Sequence, residues 1–134
     1  MSDLSIQIQH HLPQAYKELE VHCEVLPCNE VSPVHPFTSM VVNLCVMTNG
    51  HRDHGDKTWC ATFTIGQFEG GQICFHESGL VFDSRPGELL IFQSQRETHF
   101  NLHLNGIRSS VVFHSDCTMD SWADNYNRWS PHVY

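Results

Sequence analysis

Seven short apolar runs, separated by turns rich in glycine and proline, occupy the chain between residues 38 and 115. Several of them alternate apolar and polar residues, as strands with one buried face do. A spacing of roughly 8–12 residues between such runs is typical of all-β sandwiches and barrels. The runs are 38–48, 57–66, 71–77, 80–84, 89–94, 98–104 and 108–115. The pattern therefore predicts an all-β core.

The dipeptide Asn105-Gly106 separates the last two runs. Asn-Gly between two strand-like segments is a strong signal for a two-residue hairpin turn. We therefore expect these two strands to be antiparallel neighbours. Arg108 would then lie on the strand beside the one that begins near His99.

The two ends of the chain differ from this core. Residues 12–26 could form a short helix, whereas 27–37 contain three prolines and are typical of extended coil. The polar and aromatic tail predicts a short helix before Pro131. These differences divide the chain into a helix and coil flank (1–37), a core (38–116) and a C-terminal tail that packs on the core (117–134).

Bulk composition limits the class of protein. The chain has 134 residues, of which 40% are hydrophobic and 16% charged, enough for one globular domain. A net charge of −8 argues against a broad electrostatic grip on nucleic acid or on an anionic membrane, without excluding a nucleic-acid substrate presented by a partner.

Location is inferred from the absence of targeting patterns in the given sequence. No apolar run approaches the roughly 18 residues that span a bilayer, and no signal peptide is visible. The six cysteines are spread out with no CxxC pair, and their even number would permit disulfides in a secreted protein. Without a visible secretion signal, reduced thiols are favoured. We expect an intracellular protein, cytoplasmic or nuclear, without a membrane segment.

A metal site is the most specific function that the local sequence suggests. His51 and Asp53 are two residues apart, and in extended backbone such residues project to the same side. A third ligand usually comes from a distant strand, and His99, His103 and His114 all lie in later strand-like runs. His99 is favoured because it opens its strand after a polar loop, and His114 is otherwise expected to be a surface or structural residue. Two histidines and one carboxylate form the facial triad of non-haem Fe(II) oxygenases. His54 is expected to be a solvated loop residue, and His103 either lines the cavity or is a core histidine.

Arg108 is the second informative residue. An arginine that points into a β-core is costly unless it meets an anion, and its planar fork suits a carboxylate. It would hold the far carboxylate of a 2-oxoacid co-substrate. Because its apolar neighbours leave its orientation open, a surface arginine remains an alternative.

The segments "HRD", "GGQICFHESGLVFDSRPGELLIFQSQRETHFN" and "GIRSSVVFH" resemble the 2-oxoglutarate/Fe(II) dioxygenase superfamily. More narrowly, they are similar to the fungal branch of the ten-eleven-translocation and J-base hydroxylase-like (TET/JBP-like) domains. The resemblance runs from about residue 37 to residue 129. It implies a double-stranded β-helix, a jelly-roll and cupin-like fold, with short flanking helices.

The resemblance also implies roles for individual residues. His51, Asp53 and His99 would be the Fe(II) ligands. Arg108, assisted by Ser110, would bind the C5 carboxylate of 2-oxoglutarate. By its position alone, Asn43 is assigned to the C1 end of that co-substrate.

The implied activity is hydroxylation of a substrate C–H bond with 2-oxoglutarate and O2, and a methylated nucleobase is one substrate that the resemblance suggests. The chain departs from DNA-oxidising members because it is acidic and lacks their cysteine-rich and basic elements. Substrate and oligomeric state therefore stay open.

Two alternatives to an active oxygenase remain. One is a degenerate or non-enzymatic double-stranded β-helix domain that binds metal without turnover. The other is a cupin-like small-molecule module that uses a different set of histidines. Arg108 would have no anion to bind in the cupin-like module, and succinate production separates an active enzyme from a degenerate one.

Overall fold

The structure is a computed structural model, which describes residues 2–26 and 31–124. Every one of the seven predicted strands is present, with shifted ends, so the predicted β-core is confirmed. The elements in chain order are α1 (Ser2–His11), α2 (Pro13–Glu24), β1 (Ser39–Leu44), β2 (Cys60–Gly70), β3 (Ile73–Phe75), β4 (Leu80–Phe82), β5 (Leu89–Phe92), β6 (His99–Asn101), β7 (Leu104–His114) and α3 (Met119–Asp124).

The strands form two antiparallel sheets. One has four strands in the order β1-β7-β2-β5, and the other has three in the order β4-β3-β6. The chain therefore passes repeatedly from one sheet to the other. Both sheets contribute side chains to a single cavity, which places the functional residues described below.

Strand β7 connects the cavity to the hydrophobic core because its side chains alternate between two faces. Arg108, Ser110 and His114 line the cavity. Val111 and Phe113, on the opposite face, are buried in the core. One strand thus fixes the polar wall of the cavity and the packing behind it.

The two N-terminal helices cover the outer face of the four-stranded sheet. The core cluster draws on α1, α2, the segment before β1, and strands β2 and β7; it consists of Ile8, Tyr16, Leu19, Val34, Phe37, Ala61, Val111 and Phe113. In α2, Ala15, Leu19 and Cys23 recur at helical spacing and are all buried. Pro13 opens that helix, where its missing N–H costs nothing. The predicted helix within 12–26 is confirmed.

Helix α1 was not predicted. Its sequence alternates apolar and polar residues around Ile6 and Ile8, as a strand would. Only Ile8 is fully buried in the core, and Leu4 packs against it. Tertiary packing on the sheet therefore favours a helix that local periodicity does not indicate.

The predicted hairpin at Asn105-Gly106 is wrong. Both residues lie inside β7 and pair with Glu69 and Phe68 of β2, while β6 belongs to the other sheet. Gly106 has a φ of +111°, and a Cβ there would lie 2.3 Å from the Gln67 carbonyl oxygen. The glycine serves the close approach of two strands rather than a turn.

The C-terminal segment begins with α3, in agreement with the predicted short helix. Lys57 Nζ lies 2.6 Å from Asp120 Oδ2 and joins α3 to the loop before β2. Residues 125–134 of the predicted tail lie outside the described residues. Within the described part of the chain, no helix is long and apolar enough to cross a membrane.

Candidate metal centre and cavity

His51 and His99 are brought together by backbone pairing. The His51 N–H donates to the His99 carbonyl (3.1 Å), and the His99 N–H donates to the His51 carbonyl (3.0 Å). This antiparallel bridge makes them directly opposed residues at the free edge of β6, with ring centroids 4.4 Å apart. Opposed residues project to the same side of a sheet. Two histidines that are 48 positions apart in the sequence thus point into one cavity.

Asp53 completes the cluster. Its N–H donates to the Ser94 carbonyl (3.0 Å), which fixes the backbone after His51. Asp53 Oδ1 lies 3.4 Å from His51 Nε2, and Asp53 Oδ2 lies 3.4 Å from His99 Nε2. One ligand atom from each of the three residues falls within 4.8 Å of the others.

The tautomers of both imidazoles follow from their second nitrogens. His51 Nδ1 lies 2.7 Å from the Asn49 carbonyl oxygen, and His99 Nδ1 lies 2.9 Å from the Glu97 carbonyl oxygen. Carbonyl oxygens only accept, so each Nδ1 must carry the hydrogen. Each Nε2 is then free to bind a metal, and this type of backbone contact orients metal-binding histidines.

Electrostatics at the cluster favour a positive charge between the three groups. The hydrogen bond with His99 lowers the pKa of Asp53, against the opposing effect of its partial burial. Burial by itself would lower the pKa of His99, but its bonds to Asp53 and to the Glu97 carbonyl raise it above its ordinary value. A proton on His99 Nε2, or a divalent cation bound there, would balance the negative charge of the Asp53 carboxylate.

The cluster faces a cavity of about 350 Å³ between the two sheets. That volume is in the range of small-molecule sites. Polar groups of the triad and of β7 lie on its walls among apolar side chains, which include Ile73, Leu90, Phe92 and Val112. The cavity can therefore hold a small polar molecule beside the three ligand atoms.

Arg108 is buried in the wall of this same cavity, with 4% of its surface exposed. Its guanidinium donates to the carbonyls of Gly71 (2.8 Å) and Val46 (2.9 Å) and lies 5.7 Å from the ring of Phe68. Burial lowers its pKa, yet an arginine stays protonated in proteins. Across residues 2–26 and 31–124, no carboxylate lies within ion-pair distance of it. A buried cation without an acidic partner suits an anionic ligand.

Gly71 makes room for this guanidinium. A Cβ at this position would lie 2.5 Å from Arg108 Nη1, and the residue has a φ of +71°. The absence of a side chain at this position therefore leaves the space in which the guanidinium of Arg108 lies.

Polar side chains line the same cavity as Arg108. Asn43, Ser110 and Thr64 are directly opposed on β1, β7 and β2, and all three line the cavity. The hydroxyl of Thr64 is buried and has no hydrogen-bond partner among residues 2–26 and 31–124. Thr64 was missed by sequence reasoning, although its place in the alternation of β2 could have identified it.

Other histidines are placed differently from the expectations. His103 is exposed in the link between β6 and β7, where Nε2 contacts Asn105 Oδ1 (3.2 Å), so neither predicted role holds. His54 is exposed, as predicted for a loop residue. His114, assigned to the surface or to structure, lines the cavity. Its Nδ1 lies 3.2 Å from Asp56 Oδ1, without the angles of a hydrogen bond.

Asp56 was also missed. It is buried, accepts a hydrogen bond from the Ser94 hydroxyl (2.7 Å) and lines the cavity. Burial raises its pKa, an effect that the bond from Ser94 partly offsets. Two signals in the sequence could have identified Asp56 and His114. Asp56 lies three residues after Asp53, and His114 is separated from Arg108 and Ser110 by even numbers of residues, which places all three on one face of the strand.

Comparison with solved structures identifies oxygenases as structural neighbours of this chain. The fold, which consists mostly of antiparallel β-sheets, is similar to the β-rich fold of these oxygenases. The particular neighbours are NgTET1, solved in complex with 5mC DNA, and an oxidoreductase of the 2OG-Fe(II) oxygenase family from Burkholderia pseudomallei. No family model and no curated protein sequence matches the chain.

The extent of the likeness differs between the two neighbours. NgTET1 is 19% identical with a TM-score of 0.63, and the match covers 87% of this chain and 46% of that one. The Burkholderia oxidoreductase is 21% identical with a TM-score of 0.51, and the match covers 58% of this chain and 43% of that one. The matched regions thus span less than half the length of either neighbour.

Proposed function

We propose that this chain is an Fe(II)- and 2-oxoglutarate-dependent dioxygenase that hydroxylates a substrate C–H bond. The observation that carries the proposal is the convergence of His51, Asp53 and His99 in the same cavity as the buried Arg108. Each group alone has a structural explanation. A three-donor cluster and an unpaired buried cation in one cavity call for a metal and an anion together.

The two sheets are proposed to form a double-stranded β-helix. The strand orders β1-β7-β2-β5 and β4-β3-β6 support this, because the chain alternates between the sheets. The isolated bridge between His51 and His99 brings the loop after β1 to the edge of the smaller sheet.

The donor set fits Fe(II). Two imidazole nitrogens and one carboxylate oxygen are a ligand set that leaves open positions for other molecules. His51 and His99 are held by carbonyls through Nδ1, so neither ring has to turn to bind. When bound, Fe(II) would couple the decarboxylation of 2-oxoglutarate by O2, which yields succinate and CO2, to insertion of one oxygen atom into a substrate C–H bond.

Arg108 is proposed to hold the C5 carboxylate of 2-oxoglutarate, with the Ser110 hydroxyl donating to the same group. Since Asn43 is directly opposite Ser110 in the register, we assign it to this end rather than to the C1 end. Thr64, with its unpartnered hydroxyl, offers a further donor there.

A methylated nucleobase is the substrate that we propose to test first. NgTET1, with which the chain shares its fold, was solved with 5mC DNA. An acidic chain with a net charge of −8 has no general grip on a phosphate backbone, so recognition would depend on contacts with the base itself.

Succinate production tests the activity and separates it from metal binding without turnover. The protein is incubated with Fe(II), 2-oxoglutarate and O2, with and without single-stranded DNA that contains 5-methylcytosine, and succinate and oxidised base are measured by mass spectrometry. Succinate that depends on His99 and rises with the methylated DNA supports both the activity and the substrate. Metal binding without succinate, with or without DNA, would favour the non-enzymatic domain.

A further inference from the structure

The proposed metal centre is assembled from two separate segments. His51 and Asp53 lie in the loop after β1, whereas His99 lies on β6. The pairing of His51 with His99 is an isolated bridge, not part of a longer ladder. The bond from the Asp53 N–H to the Ser94 carbonyl adds one further backbone contact to the loop. With so few backbone bonds between the two segments, side-chain contacts can also help to set the distance between the ligands.

Arg52 makes such a connection from the other side of the loop. It lies between the two ligands of the loop, is largely exposed and does not line the cavity. Its Nε donates to the Thr98 hydroxyl (3.0 Å), and its Nη2 contacts Glu77 Oε1. Thr98 directly precedes His99. One side chain therefore ties the loop of the first ligand to the strand of the last.

Glu77 holds the same strand by two further bonds. The Thr98 N–H donates to Glu77 Oε2 (2.7 Å), and the Thr98 hydroxyl donates to Glu77 Oε1 (2.6 Å). The bonds from Thr98 and then Arg52 lower the pKa of Glu77 to about 2, so it is a carboxylate throughout the physiological range. An isolated exposed ion pair contributes little, but this one forms a network with fixed geometry across three segments.

Resting on the proposed metal centre, we propose that Arg52 is a positioning residue, which fixes His51 relative to His99 through Glu77 and Thr98. It does not touch the reacting atoms, because it points away from the cavity. Its effect is on the affinity and geometry of the metal site. Lysine cannot replace it fully, since only the planar fork reaches both partners.

Cobalt(II) is the probe for this inference, because its visible spectrum reports both binding and coordination geometry. Arg52→Met keeps the length of the side chain and removes the fork, and we expect the Kd for Co(II) to rise about 10-fold or more, as for other groups that orient metal ligands. Arg52→Lys should give an intermediate Kd. The matched control is Arg85→Met, at an exposed arginine in the turn before β5, which should bind as the wild type does.

Amide hydrogen exchange in the metal-free protein provides a second readout. The N–H groups of His51 and His99 each donate to the carbonyl of the other residue. In Arg52→Met, these two amide hydrogens should exchange faster than in Arg85→Met. Both variants should melt at similar temperatures. Glu77→Gln should reproduce the effect. In the double variant of Arg52 and Glu77, the loss of Co(II) affinity should not exceed the larger of the two losses in the single variants, because both residues belong to one network.

Each failure has a separate meaning. If the wild type binds Co(II) and Arg52→Met binds equally well with unchanged exchange, the positioning role is overturned while the metal centre stands. If the wild type does not bind Co(II), the proposed function and the positioning role fall together, whatever the exchange rates. If the losses of Co(II) affinity from the Arg52 and Glu77 substitutions simply add, the two residues act independently, and the proposed network is refuted.

Discussion

His51 and His99 are directly opposed across an antiparallel bridge, and both rings expose Nε2 to the carboxylate of Asp53. Their Nδ1 atoms are both held by carbonyls only two residues earlier in the chain. The same local contact thus recurs in two unrelated segments and orients both rings in the same way. This repetition is what makes the cluster suitable for a metal rather than an incidental meeting of polar side chains.

His99→Ala should reduce Fe(II) and Co(II) affinity by about 100-fold or more, since losing a direct ligand costs more than losing an orienting group. His54→Ala is the matched control, because His54 is exposed in the same loop as two of the ligands. It should leave metal affinity unchanged. Titration calorimetry under anaerobic conditions measures both variants, and equal affinity in the two would refute the triad.

Arg108→Met should weaken 2-oxoglutarate binding by about 10- to 100-fold, because a hydrogen bond to a charged group contributes about 1.5–3 kcal/mol. Co(II) affinity measured without 2-oxoglutarate should not change, as Arg108 is not among the ligand atoms. Binding of 2-oxoglutarate to the Co(II)-loaded protein is measured by calorimetry. A parallel loss of metal affinity would indicate general disruption of the cavity.

Gly71→Ala and Gly79→Ala form a matched pair. Both glycines have a left-handed φ, +71° and +66°, so each substitution should cost about 1–2 kcal/mol of unfolding free energy in urea. Within the described part of the chain, a Cβ at Gly79 meets nothing within 4 Å, whereas one at Gly71 collides with Arg108. Only Gly71→Ala should therefore weaken 2-oxoglutarate binding. Equal binding by the two variants would count against this role of Gly71.

Thr64→Val tests the unpartnered hydroxyl in the cavity wall. Since that hydroxyl has no bond to lose, the unfolding free energy of the ligand-free protein should stay the same or rise by less than about 1 kcal/mol. Binding of 2-oxoglutarate should weaken by about 10-fold if the hydroxyl donates to its carboxylate. Unchanged 2-oxoglutarate affinity would remove Thr64 from the anion site.

The described cysteines should differ in reactivity with pH. Burial raises the pKa of Cys60 to about 12 and, with Glu20 and Glu24 adding to it, that of Cys23 to about 11. Only thiolates alkylate readily, so both should resist iodoacetamide between about pH 7 and 9, while the exposed Cys45 reacts. Peptide mass spectrometry locates the label, and a sample in guanidinium, where all thiols react, is the control.

Local sequence patterns predicted the strands well but not their partners. The run 108–115 alternates in a way that identifies its two faces, and Arg108 and Ser110 do share the cavity face. The Asn105-Gly106 dipeptide, by contrast, predicted a turn between β6 and β7. The sequence shows the same residue whether a glycine permits a turn or permits the close approach of two strands. A prediction from local sequence could not separate these two uses.

What the sequence determined by itself is therefore local: seven strand segments, the second helix, and the shared direction of His51 and Asp53. Tertiary structure alone decided that β7 lies in the opposite sheet from β6, that Gly71 cradles Arg108, and that Asp56 and His114 meet in the cavity. The physical reason is that alternation and turn preferences act over a few residues. Strand order, by contrast, depends on contacts between distant segments. The entropy cost of closing the intervening chain changes only slowly with its length, so the distance between two strands in the sequence does not indicate which strands pair.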